Sequence, residues 1–171
     1  MQQIIRTERL VLRPFQPEDA AKVAELLANK CISEMTSNIP YPYTEADASA
    51  WIAKHRDLYE QRVSIIYAVT LRASGELMGT VSLPKLSNGL GILGYWLGVP
   101  YWGSGYATEA SKALIEHCKK HLGLQRIQVL HYTENQRSKS VVEKLGVKYI
   151  NNTTSMVKGL PCELCVYESG V

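Results

Sequence analysis

The stretch from Gly94 to Ala110 constrains the fold more than any other part of this 171-residue chain. It reads Gly94-Tyr95-Trp96-Leu97-Gly98-Val99-Pro100-Tyr101-Trp102-Gly103-Ser104-Gly105-Tyr106-Ala107-Thr108-Glu109-Ala110. An apolar run suited to a strand meets Pro100, then two closely spaced glycines, then a pattern of helical period. A strand that turns directly into a helix leaves the first helical amides without acceptors, at the positive end of the helix dipole. With no side chain at Gly103 or Gly105, a phosphate can approach those amides closely. A G-x-G by itself also fits a simple tight turn. No G-K-[ST] follows, which excludes a P-loop. No third glycine stands at dinucleotide spacing in an early strand-helix-strand unit, which excludes a Rossmann fingerprint.

The surrounding run from Leu86 to Thr108 carries no charge, yet Gly89, Gly91, Gly94, Gly98, Pro100, Gly103 and Gly105 break it. It cannot serve as a membrane-spanning helix. The N-terminus, Met1-Gln2-Gln3-Ile4-Ile5-Arg6, lacks the charged head and apolar block of a signal peptide. No membrane association is expected, and a cytoplasmic location follows.

The remaining chain supplies elements on both sides of this segment. Arg9 to Arg13 alternates charged and apolar residues, as a half-buried strand does, and Pro14 and Pro17 stop it. Pro17-Glu18-Asp19 opens a helix whose apolar face is Ala20, Val23, Ala24 and Leu27. Cys31 to Tyr43 reads as irregular, because Ile39-Pro40-Tyr41-Pro42-Tyr43 cannot be regular helix. Thr44 is the expected N-cap of a helix to roughly Arg56, with Ala48, Trp51, Ile52 and His55 on one side. Strands are expected over Ser64 to Leu71, Leu77 to Leu83 and Gly91 to Val99, joined by short turns into an antiparallel meander.

A helix from Gly105 to Leu122 follows, with Ala107, Ala110, Leu114 and Cys118 along one stripe and Gly123 ending it. A strand over Arg126 to Tyr132, a helix over Ser138 to Leu145 closed by Gly146, and strands over Val147 to Ile150 and Leu160 to Tyr167 complete the chain. A meander feeding a strand-helix-strand crossover predicts a mixed α/β (α+β) fold. No linker or repeat divides residues 1–171, so a single domain is expected.

Nearly half the residues are hydrophobic (46%), enough for a packed core. The net charge of +3, from 19 basic and 16 acidic residues, is too mild to indicate nucleic acid. Lys119-Lys120-His121 reads as a solvated face. Of the cysteines, Cys162 and Cys165 form a C-x-x-C, but on a strand that spacing points the thiols to opposite faces. No second pair exists, so neither metal nor redox use is expected.

Three blocks together resemble the GNAT acetyltransferases, in the branch that acetylates ribosomal-protein N-termini. Tyr101 to Ala110 looks like that family's coenzyme A pyrophosphate loop. Thr7-Glu8-Arg9-Leu10-Val11-Leu12-Arg13-Pro14 matches the branch's opening strand. Asn135-Gln136-Arg137-Ser138, followed by Glu143-Lys144-Leu145-Gly146, matches its second cofactor-side motif. The blocks stand in the family's order and cover nearly the whole chain.

The resemblance implies a mostly antiparallel twisted sheet of about six to seven strands, with helices on both faces and a splay between two central strands. The strand Gly94 to Val99 is expected to splay from Arg126 to Tyr132, so that the backbone of Leu97, Gly98 and Val99 pairs with the pantetheine arm of acetyl-CoA. The amides of Trp102, Gly103, Ser104, Gly105, Tyr106, Ala107 and Thr108 would hold the pyrophosphate, and Asn135 would bind near the pantetheine. The Leu97 amide would polarise the thioester carbonyl. Ser138 would protonate the leaving thiolate, where a bare reading of the residue gives only a helix N-terminal hydroxyl. Direct attack in a ternary complex is expected, so no cysteine nucleophile is needed, and Cys118 reads as core.

The base departs from the pattern: Ile92 stands where many relatives carry Glu. Glu34, His131 and Tyr132 are the remaining candidates, while Glu109 reads as a complement to the helix dipole. Val147 replaces the family's common Phe. The implied activity is N-acetyl transfer to a primary amine, preferably a protein N-terminal α-amine. A small amine (an amino acid, polyamine or antibiotic) and a non-catalytic acetyl-CoA-binding module are the competing readings. A monomer or homodimer fits all three.

Overall fold

The computed structural model describes residues 1–171. Two short strands open the chain, β1 (Ile5–Arg6) and β2 (Leu10–Arg13). A 3-10 turn at Pro17–Asp19 leads into α1 (Ala20–Leu27), followed by α2 (Lys30–Glu34), α3 (Glu45–Ile52) and α4 (His55–Glu60). The meander is β3 (Ile65–Leu71), β4 (Leu77–Ser87) and β5 (Leu90–Leu97). Then come α5 (Tyr106–Leu122), β6 (Arg126–Tyr132), α6 (Gln136–Leu145), β7 (Tyr149–Val157) and β8 (Leu160–Gly170). The strands form one sheet in the order β1-β2-β3-β4-β5-β6-β8-β7, and only β5 and β6 run parallel.

Alternation along β3 builds the core on both faces of the sheet. Ile65, Tyr67 and Val69 join Leu10, Leu12, Leu114 and Cys118 in a cluster beneath α5. Ile66 and Ala68 join Phe15, Val23, Leu27, Ala48 and Trp96 beneath α1 and α3. Leu114 is fully buried on the predicted α5 stripe. Truncating such a leucine to alanine costs about 2–5 kcal/mol. Thr44 caps α3 in a reciprocal box with Asp47, and Gly123 and Gly146 end α5 and α6 at positive φ.

The structure corrects several boundaries. The expected helix from Thr44 to Arg56 breaks at Ala53 and Lys54 into α3 and α4. The break still brings Trp51 and His55 together against Phe15, with ring centroids 4.3–5.3 Å apart. The supposedly irregular region opens with α2, capped by the Asn29 side chain on the Cys31 amide. Proline in the next segment masked this short helix. The hairpin strands β4, β7 and β8 run longer than their apolar runs, because ladder pairing continues through polar residues such as Asn151, Thr153 and Ser155. Cys162 and Cys165 lie on β8 as free thiols. No helix is long and apolar enough to cross a membrane.

Candidate active site

Parallel pairing of β5 with β6 runs from Leu90 opposite Arg126 to Leu93 opposite Val129 and then stops. Beyond that point β5 stays bonded to β4 as far as Leu97, and β6 stays bonded to β8 as far as Tyr132. The two central strands therefore part, and the sheet opens between them. The Gly98 amide donates to the Met78 carbonyl on β4 (2.8 Å). Alternation then turns the Tyr95 and Leu97 backbone toward the opening. This is the expected splay, with Leu97 at its edge.

After β5 the chain makes a 3-10 turn at Val99–Tyr101 and reaches the glycine loop. Gly103 and Gly105 adopt φ of 80° and 78°. A Cβ at Gly103 would meet no protein atom within 4 Å, so the space above the loop is open. Gly105 is the N-cap of α5, with no side chain capping the helix. The amides from Gly103 to Thr108 find no acceptor within the protein; the first satisfied one is that of Glu109, on the Gly105 carbonyl (3.1 Å). Gly103, Ser104 and Gly105 are exposed. A run of unpaired donors at the positive end of a 17-residue helix can serve as a main-chain anion cradle.

The cradle is braced by its neighbours. Arg9 donates from Nη1 to the Ser104 carbonyl (2.8 Å), and its guanidinium lies 4.4 Å from the centre of the Tyr106 ring. Glu109 accepts from Thr7 Oγ1 (2.7 Å), the Arg9 amide (3.0 Å) and Arg9 Nε (2.7 Å). Burial alone would raise the Glu109 carboxyl; the bonds from Thr7 and Arg9 outweigh it and hold it below the usual range. Glu109 therefore does more than complement the dipole. It ties the first hairpin to the start of α5. No spacing in the sequence foretold a pair so far apart.

Trp102 is half-buried, packed at the edge of both core clusters. Its indole N–H donates to the Leu97 carbonyl (2.9 Å), and the Arg137 guanidinium stacks 3.4 Å from the ring centre. Trp96, by contrast, is core. Gly98 is packed so closely that a Cβ would lie 2.6 Å from Leu26 Cδ2.

Across the opening, Asn135 caps α6 by accepting from the Ser138 amide (3.1 Å). Ser138 is thus not the capping residue; it is buried, and its Oγ lies 2.6 Å from the Tyr95 hydroxyl. The Tyr132 hydroxyl donates to the Thr36 carbonyl (3.4 Å), and burial first, with Cys162 and Glu134 nearby, raises its phenol. His131 is buried, with Nδ1 2.7 Å from the Tyr132 carbonyl and Nε2 3.3 Å from the Tyr167 hydroxyl. Glu34 is exposed on α2 beside Lys30. Cys118 is fully buried and its thiol is pushed up to about 12 by that burial, which disqualifies it as a nucleophile.

The chain belongs to the acetyltransferase (GNAT) domain family, whose model matches residues 9–148. It is 30% identical over 146 residues to YnaD of Bacillus subtilis, an uncharacterized N-acetyltransferase, covering 84% of this chain and 82% of that one. The fold is similar to that of RimL, a ribosomal alpha-N-protein acetyltransferase solved with coenzyme A. There the TM-score is 0.90 at 16% identity, over 99% of this chain and 98% of the other. It is also similar to MccE, a microcin C7 self-immunity acetyltransferase solved with acetyl-CoA and AMP. That likeness has a TM-score of 0.87 at 16% identity, over 96% and 94% of the two chains.

Proposed function

We propose that this chain binds acetyl-CoA and transfers its acetyl group to a protein N-terminal α-amine by direct attack. The unpaired amides from Gly103 to Thr108, beside the open edge of β5, carry this reading. They match the charge and size of a pyrophosphate, and the Tyr95–Leu97 backbone can pair with an extended amide-bearing arm. Asn135, already engaged as a cap, borders the same opening. The Leu97 amide would stabilise the oxyanion that forms when the amine attacks. The carbon-sulfur pair then goes to sulfur, which Ser138 protonates. Val99 follows the β5 edge, and Tyr132 ends β6. The attacking amine must be neutral; it loses its proton to water, since Ile92 offers no base. The ribosomal N-terminal substrate of RimL, a protein of the same fold, supports a protein acceptor.

A second reading, a small amine, is favoured by one observation. Lys158 Nζ, at the tip of the β7–β8 hairpin, donates to the Ser33 carbonyl (2.6 Å), and Tyr132 reaches Thr36. These contacts tie the hairpin and β6 to α2 and the residues after it, which would favour a small acceptor over a chain-like one. Thiol release from acetyl-CoA in the presence of N-terminal peptides, and separately of amino acids and polyamines, decides between them. Peptide-dependent release supports the first reading. Release with small amines alone replaces it by the second, and release with neither removes both.

A further inference from the structure

Tyr95 reaches from β5 across the opening to the first turn of α6. Its hydroxyl lies 2.6 Å from Ser138 Oγ and 3.4 Å from the Ser138 carbonyl. Ser138 Oγ makes no other hydrogen bond, and the Ser138 amide is held by Asn135, so the serine has no duty as a helix cap. Period-two alternation puts Leu93, Tyr95 and Leu97 on the α5 face of the sheet, which is why the phenol points toward α6.

We propose that Tyr95 is a positioning residue: its O–H donates to Ser138 Oγ and turns the serine's own proton toward the gap between β5 and β6, where the departing sulfur is protonated. The proposal rests on the acetyl-transfer reading and deepens it. A serine hydroxyl has one proton and two lone pairs and rotates freely unless a partner fixes it. Tyr95 occupies a lone pair, so the proton is left for a second acceptor. Burial, against the opposing pull of the Ser138 hydrogen bond, pushes the Tyr95 phenol up to about 12, so it remains a donor through the neutral range. In the step itself the amine nitrogen bonds to the carbonyl carbon, and the carbon-sulfur bond breaks with its pair on sulfur. The Ser138 proton moves to sulfur, and the surplus proton of the new ammonium returns through water to Ser138 Oγ. Tyr95 keeps its own proton throughout.

Two measurements test this. In the first, coenzyme A and acetyl-CoA are titrated calorimetrically into the wild type and Tyr95→Phe at neutral and alkaline pH. The sulfur of acetyl-CoA does not titrate, so its affinity should be alike in both proteins and reports an intact cradle. The thiol of coenzyme A ionises in this range, and a fixed O–H favours the thiolate. The wild type should therefore gain on the order of tenfold more affinity at alkaline pH than Tyr95→Phe does. An equal gain overturns the proposal. Replacing Tyr95 by 3,5-difluorotyrosine keeps shape and hydroxyl but ionises at lower pH. The gain should then disappear above that ionisation, and an unchanged profile counts against the proposal even where Tyr95→Phe fails to fold.

In the second measurement, Tyr95→Phe should lower kcat of acetyl transfer about tenfold with KM for acetyl-CoA unchanged, and cost nothing further in a Ser138→Ala background. Equal losses in both backgrounds overturn the proposal. A wild type that binds acetyl-CoA but acetylates no amine defeats the transfer reading instead, and the coenzyme A titrations then decide the role of Tyr95.

Discussion

Arg9 grips Glu109 from the other end of the fold, with Nε 2.7 Å from Oε2 and the Arg9 amide 3.0 Å from Oε1 of the same carboxylate. The same arginine holds the Ser104 carbonyl, so the turn after β1 is fastened to both sides of the glycine loop. A loop that donates only backbone amides must be held in shape by something else, and this pair does it.

Replacing Glu109 by Gln keeps size but removes the charge that holds Arg9 and Thr7. Affinity for acetyl-CoA should fall about fivefold, with the melting temperature lower by a few degrees. Calorimetry and thermal melts check this. Because the Glu109 carboxyl is held low in the folded chain, its stabilisation is present above the usual carboxylate pKa and lost as pH falls through the folded value.

Gly105→Val places a branched side chain at φ of 78°, a strain of roughly 1–2 kcal/mol, beside the amides proposed to hold phosphate. The fold should survive while acetyl-CoA affinity drops at least about tenfold. An unchanged affinity in a folded variant removes the phosphate role from the loop.

Trp102 occupies the Leu97 carbonyl that a pantetheine arm would use. Binding of acetyl-CoA should therefore displace the indole and change tryptophan emission. The change should be largely lost in Trp102→Phe, where only Trp51 and Trp96 remain. An equal change in that variant would show that Trp102 stays in place.

His55 is buried against Phe15 and Trp51, and neither ring nitrogen has a hydrogen-bond partner. Burial lowers its pKa from 6.5 to about 4. A proton is bound by the unfolded chain below pH 6.5 but refused by the folded one until about 4, so stability falls as pH drops through that window. The full loss is about 3 kcal/mol, at 1.36 kcal/mol per unit. His55→Phe should flatten this part of the pH profile in denaturant titrations, and a slope identical to the wild type would mean that His55 is not the group responsible.

What the sequence revealed follows from how local each signal is. The glycine turn into a helix, the caps at Thr44, Gly123 and Gly146, and the stripe Ala107, Ala110, Leu114 and Cys118 rest on neighbours within a few residues; the turn, the caps and the stripe all form, with Ala107 only half-buried at the stripe's end. The parting of β5 from β6 came from family resemblance, since nothing in the spacing of Leu93 and Val129 says where pairing stops. The Arg9–Glu109 and Tyr95–Ser138 bonds were invisible, because they join segments that only the sheet brings together. Alternation along Leu93, Tyr95 and Leu97 could have placed the Tyr95 ring on the helix side, though not beside Ser138. The Trp102 indole bond to the Leu97 carbonyl likewise had no signal in the sequence, since it depends on how the chain turns between the two residues.

The most direct measurement is calorimetric titration of the folded protein with acetyl-CoA, beside coenzyme A and ATP. The free amides from Gly103 to Thr108 and the open β5 edge predict saturable binding of acetyl-CoA and coenzyme A, both stronger than ATP, which lacks the pantetheine arm. No binding of either thioester or thiol by a well-folded sample would contradict the account and leave the glycine loop as a structural turn.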